Sequence, residues 1–421
     1  MANERLQAVL AQLKPATGGN STIEKLTQKN ADDIVITLAL RTPMAKGFKG
    51  GFKDTELDYM IYSLLKEALG RANLDPNLVD DVVLGNSNNA RAPTLTRAAA
   101  LAAGIPYTAG GSVVSRFCSS GLMSIQTVAN EISRGEISIG IAMGAESMTK
   151  GPDRGTIHSL SPEILQDQDA ADCLQPMGQT SENVGDDFGI SREMQDKYAV
   201  ESFRRAEVAQ RSGWFDDEIV PITTNVVDGK TGEKKQITVS RDEGPRYGTT
   251  LESLGKIRPA FAQYGNKTTG GNASQVTDGA AVVILMKRSK AHQLNQPILA
   301  KYVGATVAGV PPRIMGIGPS IAIPKLLSQH NLRTEDVDIY EINEAFASMA
   351  VYCLDRLGLE HEKVNPRGGA IALGHPLGCT GTRQVVTALS EARRTGKKIC
   401  VTSMCVGTGQ GMAGLFVNEQ L

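Results

Sequence analysis

The sequence predicts an α/β protein made of two similar layered halves with a long polar region inserted between them. Three observations carry this. Strand-like and helix-like runs alternate from about Ile34 onward, the signature of α/β layering. The order of elements in the first half returns in the second. Between the halves, from about Pro152 to Gly271, the chain is polar and rich in Gly, Asp and Arg; an insertion of that length usually serves or covers a site.

The elements follow in order. Ile34-Val35-Ile36-Thr37 reads as a buried strand and Asp54 to Ala72 as an amphipathic helix. Val82-Val83-Leu84 is a second strand, and Thr94 to Ala103 a second helix. Phe117-Cys118-Ser119-Ser120-Gly121 leads into a helix from Leu122 to Arg134, which Gly135 breaks; a strand from Ser138 to Met143 follows and ends in Gly144-Ala145-Glu146. In the second half, Leu373-Gly374-His375-Pro376-Leu377-Gly378 leads into a helix from Thr382 to Arg394, which Gly396 breaks; a strand from Ile399 to Met404 follows and ends in Cys405-Val406-Gly407. Each half also has an earlier strand, one ending in Asn86 and one ending in Asn343. The inserted region is expected to be irregular.

A chain of 421 residues is expected to form two or three packed units. Its hydrophobic content of 41% and charged content of 21% suit a globular protein with a real core. A formal net charge of -1 gives no basic surface for nucleic acid. No apolar run is long enough to span a bilayer, and the N-terminus lacks the pattern of a secretory signal. The six cysteines form no CxxC pair and no metal-like grouping with the five histidines, so no metal is expected and free thiols are. Near the N-terminus Leu6, Val9, Leu10 and Leu13 share one helical face. That face suits either packing on the body or recognition as an address label. The Pro/Gly/Ser-rich stretch from Pro15 to Thr22 would expose it.

Three residues are candidates for chemistry. Cys118 precedes an apolar-periodic run (Leu122, Ile125, Val128, Ala129, Ile132), which puts it at a helix N-terminus. Unpaired N–H groups and the positive end of the dipole favour a thiolate there; a small buried side chain at a helix start is the alternative. His375 lies between Gly374 and Pro376 on a turn into a helix. Imidazole is the usual acceptor of a proton from a Cys nucleophile, although a lone His is more often structural. Cys405 ends a strand and opens the loop Val406-Gly407-Thr408-Gly409. Such a loop can turn backbone N–H groups toward an oxyanion; a buried strand-end Cys is the alternative. Gly409-Gln410-Gly411-Met412-Ala413-Gly414 matches GxGxxG, but the chain ends at Leu421. That leaves no room for the helix, strand and acidic residue a dinucleotide site requires.

Together these residues resemble the thiolase family, over nearly the whole chain after residue 30. Four motifs carry the resemblance: Cys118-Ser119-Ser120-Gly121, Asn343-Glu344-Ala345-Phe346-Ala347, Gly374-His375-Pro376 and Cys405-Val406-Gly407-Thr408-Gly409. Met177-Gly178-Gln179-Thr180, Gly271-Asn272-Ala273-Ser274 and Met315-Gly316-Ile317-Gly318-Pro319 support it. The resemblance implies duplicated βαβαβαββ halves in an αβαβα arrangement. The divisions expected are a targeting segment and linker over 1–30, an N-terminal domain over 31–151 plus 272–296, a CoA-binding loop domain over 152–271 and a C-terminal domain over 297–421.

The resemblance also implies roles. Cys118 would be the nucleophile, His375 its base and Cys405 the second acid/base. Asn343 would hold a water that forms one oxyanion hole with His375. The N–H groups of Cys118 and Gly407 would form the other. Arg246 would contact the nucleotide end of CoA, with Ser253 and Ser274 near the pantetheine; Met177, Phe261 and Phe346 would line the substrate path. Coenzyme A would be a co-substrate rather than a bound cofactor. Partners implied are a 3-ketoacyl-CoA, CoA, a second copy in a homodimer, and an import receptor reading Arg5-Leu6, five residues, then Gln12-Leu13, the pattern of an N-terminal peroxisomal signal.

One departure bears on subtype. Short-chain acetoacetyl-CoA thiolases resemble one another in carrying His just before Met177-Gly178, where this chain has Pro176. That favours the broad-range 3-ketoacyl-CoA class of β-oxidation over a biosynthetic acetoacetyl-CoA thiolase. A ketoacyl synthase would be expected to carry a second His at the place of Cys405. A non-catalytic acyl-CoA or lipid carrier on the same scaffold would have no need of Cys118, Asn343, His375 and Cys405 together.

Overall fold

The computed structural model describes residues 18–151 and 159–421. The expected helix over Leu6–Leu13 and the expected signal lie outside them. Among the described residues twelve strands form: β1 (Ile34–Arg41), β2 (Ala45–Lys46), β3 (Asp81–Gly85), β4 (Ser112–Val114), β5 (Ile139–Ser147), β6 (Ile222–Val227), β7 (Lys234–Val239), β8 (Thr277–Lys287), β9 (Ala300–Gly309), β10 (Ile339–Ile342), β11 (Ile399–Val406) and β12 (Gln410–Asn418).

Ten of them make one sheet in the order β10-β11-β12-β9-β1-β8-β5-β3-β4, with β2 beside β8. The two halves of this order repeat. In the first, β1 pairs β8 antiparallel, β8 pairs β5 antiparallel and β5 pairs β3 parallel. In the second, β9, β12, β11 and β10 do the same in turn. A short antiparallel contact of β1 with β9 joins them. Local chemistry repeats as well. Asp80 Oδ2 accepts from Ser138 N at 2.7 Å and Ile139 N at 3.0 Å, fixing the start of β5. Asp338 Oδ2 accepts from Lys398 N at 3.0 Å and Ile399 N at 2.9 Å, fixing the start of β11.

Helices cover both outer faces and fill the space between the sheet halves. The helices Leu57–Ala72 and Ala92–Ala102 pack Leu64, Leu65 and Ala99 against Val82, Ile141 and Val282 of the first half. The helices Pro319–Gln329 and Ala347–Leu357 cover the second. Between lie the helices Ser120–Arg134 and Leu377–Thr395, whose Leu122, Ile125, Val385 and Leu389 form one core with Val283, Met404 and Phe416. The result is five layers, α, β, α, β, α. Both central helices end on a glycine in the left-handed region, Gly135 at φ 76° and Gly396 at φ 64°, where a Cβ would be strained.

Among the described residues the elements expected from sequence are present, with helices starting earlier or later than expected. Leu57, not Asp54, opens the first, because residues 51–54 form a turn. Leu377, not Thr382, opens the last, because Pro376 supplies a fixed φ for entering a helix. The inserted region is more regular than expected. It holds the helix Met177–Asp187, the 20-residue helix Arg192–Arg211 and the hairpin β6–β7. Gly409–Gly414 is a turn followed by strand β12, not a strand–loop–helix crossing.

A buried ionic network ties this region to both halves. Arg41 of β1 binds Asp242 through two hydrogen bonds of 2.7 and 2.9 Å, and Glu218 at 2.6 Å. Glu218 reaches Arg367 at 3.2 Å, and Arg367 reaches Glu391 at 2.7 Å. All five side chains are almost wholly buried, so each charge depends on its partners.

Candidate active site

The turn that carries Cys118 is held by the two serines after it. Ser120 Oγ donates to the Phe117 carbonyl at 2.6 Å and accepts from Arg116 N at 2.9 Å; Ser119 Oγ donates to the Arg116 carbonyl at 3.0 Å. Phe117 is forced to φ 45°, and Cys118 is left just outside the helix. The residue is 7% exposed. Burial pushes its thiol up to about 11, while the N–H groups of Gly407 and of Cys118 itself pull toward the anion. A helix start favours a thiolate, and here burial opposes it. Desolvation outweighs the local donors, so the resting group is a thiol that needs a base.

His375 supplies one. Gly374, at φ 108°, turns the chain so tightly that a Cβ there would lie 2.1 Å from Thr277 Oγ1, and His375 N donates to the Gln275 carbonyl at 3.1 Å. The ring is buried, and burial, aided by the Arg383 charge, pulls it down to about 3. It is neutral near pH 7. Thr380 Oγ1 donates to the Pro376 carbonyl at 2.9 Å and so accepts from His375 Nδ1–H, 2.6 Å away. That assigns the proton to Nδ1 and leaves Nε2 as the unprotonated, accepting nitrogen. Asn343 Nδ2 donates to Nε2 at 3.2 Å, and Asn343 Oδ1 is buried with no hydrogen-bond partner among the described residues.

Glu344 holds this assembly from behind. Its carboxylate accepts from Tyr198 at 3.0 Å, Ser202 at 2.7 Å, Asn365 at 2.8 Å and Ile371 N at 3.1 Å. It thus links the Asn343 loop, the segment leading to His375 and the helix Arg192–Arg211. Sequence reasoning quoted Glu344 only as part of a motif.

Cys405 is fully buried at the end of β11, its Sγ 3.5 Å from Met349 Sδ. Burial, reinforced by the nearby Cys118, pushes the thiol well above its usual range. It is a proton donor rather than a resting anion. Gly407 follows in the turn after β11; a Cβ on it would lie 3.8 Å from Phe117 Cγ and 3.9 Å from Met177 Sδ. Cys405 also joins an apolar cluster with Ala273, Met315, Ala345, Phe346 and Met349, against which Phe261 packs. Phe261 and Phe346 meet edge to face at 6.4 Å.

The structure pairs His375 with Asn343, three residues before Phe346, and gathers Cys118, Cys405, Gly407, Met177, Phe261 and Phe346 around one place. Ser274 is joined to it through its backbone, 2.9 Å from the Ala345 carbonyl. Arg246 and Ser253 stand apart, on the inserted region. Arg246 donates to the Gly270 carbonyl at 3.2 Å and lies over the Phe203 ring. Ser253 closes a capping box with Thr250 at the helix Leu251–Gly255. Among the described residues no group of three or more His, Cys, Asp or Glu side chains is arranged to hold a metal, and no helix is long and apolar enough to cross a membrane.

Comparisons with known proteins agree with this geometry. The family model for the thiolase N-terminal domain matches residues 34–289, and that for the thiolase C-terminal domain matches residues 296–418. A peroxisomal 3-ketoacyl-CoA thiolase of Yarrowia lipolytica is 49% identical over 99% of this chain and 100% of its own. Peroxisomal 3-ketoacyl-CoA thiolase B of Rattus norvegicus is 48% identical over 98% of each. The crystal structure of the dimeric peroxisomal thiolase of Saccharomyces cerevisiae superposes with a TM-score of 0.87 at 48% identity, over 94% of this chain and 100% of that one. Human mitochondrial 3-ketoacyl-CoA thiolase in complex with CoA gives 0.82 at 35% identity, over 92% and 98%. The two family models together span both halves of the sheet, and the chain belongs to the thiolase family.

Proposed function

We propose that this protein is a degradative 3-ketoacyl-CoA thiolase: it cleaves a 3-ketoacyl-CoA with CoA to give acetyl-CoA and an acyl-CoA two carbons shorter. The observations that carry the reading are a neutral His375 whose Nε2 is the unprotonated nitrogen and a protonated Cys118 thiol drawn toward the Gly407 N–H.

His375 Nε2 takes the Cys118 proton, and Sγ attacks the 3-keto carbon. The alkoxide that forms is stabilised by the N–H groups of Cys118 and Gly407, each such donor lowering the barrier by about 2.7–4 kcal/mol. Collapse breaks the bond between C2 and C3 and expels the enolate of acetyl-CoA. The enolate oxygen is held by His375 Nε2–H and by a water on Asn343, whose unpartnered Oδ1 supports that role. Cys405 gives its proton to the enolate carbon, which its raised thiol suits. The acyl group stays on Cys118. Incoming CoA then loses its thiol proton to the Cys405 thiolate and displaces the acyl chain, and His375 returns its proton to Cys118. The course is ping-pong.

The inserted region, residues 152–271, is assigned to CoA, with Arg246 toward its nucleotide end and Ser253 and Ser274 toward the pantetheine. Residues 31–151 plus 272–296 and residues 297–421 are assigned to the two thiolase domains; the repeated strand order supports that division. CoA acts as a co-substrate, and the dimeric S. cerevisiae relative supports a homodimer. Peroxisomal relatives support a peroxisomal site of action, reached through Arg5-Leu6 and Gln12-Leu13. Import lost on replacing Arg5 and Leu6 with Ala supports this signal; unaffected import refutes it.

Pro176 opens the helix Met177–Asp187 where short-chain thiolases carry His. This disfavours an acetoacetyl-CoA-specific enzyme. Comparing cleavage of four-carbon and long-chain 3-ketoacyl-CoA tests the reading: long chains are expected to be cleaved efficiently, and strict restriction to four carbons overturns it.

A further inference from the structure

Resting on that reading, we propose that Glu146 is a positioning residue for thiolysis: its carboxylate, in the half that carries Cys118, clamps the turn that carries His375. Glu146 lies at the end of β5 and is fully buried. Its Oε2 accepts from Gly378 N at 2.9 Å, in the first turn of the helix that His375 and Pro376 lead into. The same oxygen accepts from Ser87 N at 2.9 Å. Oε1 accepts from Asn88 N at 3.2 Å and from Asn86 Nδ2 at 3.0 Å. Residues 86–88 follow β3, and β3 ends at Gly85, where a Cβ would lie 2.3 Å from the Ser120 backbone. One carboxylate therefore ties the segment after β3, which abuts the entrance of the Cys118 helix at Gly85, to the entrance of the His375 helix in the other half.

The four partners are all donors, so only an acceptor with two equivalent oxygens fits. A Gln at this place would turn its NH₂ toward two N–H groups, either those of Ser87 and Gly378 or those of Asn86 and Asn88. Either way an attraction becomes a repulsion at a buried site, and the two helix entrances are free to shift. Burial raises this carboxyl to about 7, against the pull of its four hydrogen bonds toward the charged form. Its charge also acts on the Cys118 thiol and favours the protonated form.

The test compares wild type and Glu146→Gln by steady-state thiolysis and by the pH dependence of Cys118 alkylation with iodoacetamide, mapped by mass spectrometry. The expected result is a kcat lower by about 100-fold, the scale of a misplacement near 1 Å, with KM little changed and the alkylation profile moved to lower pH. Slower thiolysis with a more reactive thiol is what loosened packing alone would not give. A kcat close to wild type overturns the proposal, as does a lost kcat with an unmoved alkylation profile. Should Glu146→Gln not fold, Glu146→Asp keeps the charge and shortens the reach to Gly378. It is expected to lower kcat while alkylating at the wild-type pH, and an undiminished kcat overturns the proposal. If wild type itself cleaves no 3-ketoacyl-CoA, the functional reading fails first; the alkylation profiles then report on Glu146 alone.

Discussion

His375 Nδ1 lies 2.6 Å from Thr380 Oγ1, and that hydroxyl is itself committed as a donor to the Pro376 carbonyl at 2.9 Å. A threonine one turn into the helix thus sets which ring nitrogen carries the proton. Thr380→Val keeps the shape and removes the acceptor. A hydrogen bond to a group that becomes charged is worth about 1.5–3 kcal/mol, so kcat is expected to fall by about 10- to 100-fold. Steady-state kinetics check this, with KM as the control; an unchanged kcat contradicts the tautomer assignment.

The same histidine makes stability depend on pH. Burial holds it near 3 in the fold, against 6.5 for the free side chain. Between those values the unfolded chain binds the extra proton, so stability falls as pH drops through that window and is level above it. His375→Gln removes this term. Urea midpoints measured at about pH 7 and about pH 5 are expected to fall further for wild type than for the variant. Equal falls would mean that the ring is not held neutral.

The buried network predicts a stability effect away from the chemistry. Asp242 accepts from Arg41 twice and from Met44 N at 2.8 Å. Asp242→Ala leaves Arg41 buried with half its compensation, and a loss of about 3–5 kcal/mol is expected. Denaturant titration measures it; a loss below 1 kcal/mol, roughly the value of an exposed pair, would contradict the account.

The central helices meet through glycine. A Cβ on Gly121 would lie 2.7 Å from the Gly378 carbonyl and from Thr382 N, both backbone. Thr382 Oγ1 also donates to the Gly121 carbonyl at 2.9 Å. Gly121→Ala is expected to cost about 1–3 kcal/mol by overpacking. It should also slow thiolysis at temperatures where the variant remains folded, because it forces apart the entrances that hold Cys118 and His375. Thermal melts and activity below the transition test both parts; full activity would show that their spacing is not critical.

Much of this was legible in the chain. The strand runs of β1, β3, β5, β10 and β11 and the glycine stops at Gly135 and Gly396 show in the order of residues, because burial on both faces leaves continuous apolar runs. Cys118, His375 and Cys405 stood out by their settings at a helix start, a Gly–Pro turn and a strand end. The helix Arg192–Arg211 did not. Its buried face includes Gln195, Asp196, Ser202 and Arg205, so the period of buried positions is not a period of apolar ones. Glu146 and Glu344 were missed for a different reason. Each is surrounded by donors from segments far apart in sequence, and no local spacing announces that. The depth at which Cys118 is buried was not legible either, because a helix start is visible in sequence while desolvation is not.

The most direct test of the central claim, that Cys118 carries the acyl group, is acyl trapping. The protein is mixed with a 3-ketoacyl-CoA in the absence of free CoA, acetyl-CoA release is followed, and the modified thiol is mapped by mass spectrometry. The expected result is a thioester on Cys118 and none in a folded Cys118→Ala variant, which should also show no thiolysis. An acyl group on Cys405 or another cysteine, or turnover by Cys118→Ala, would contradict the account.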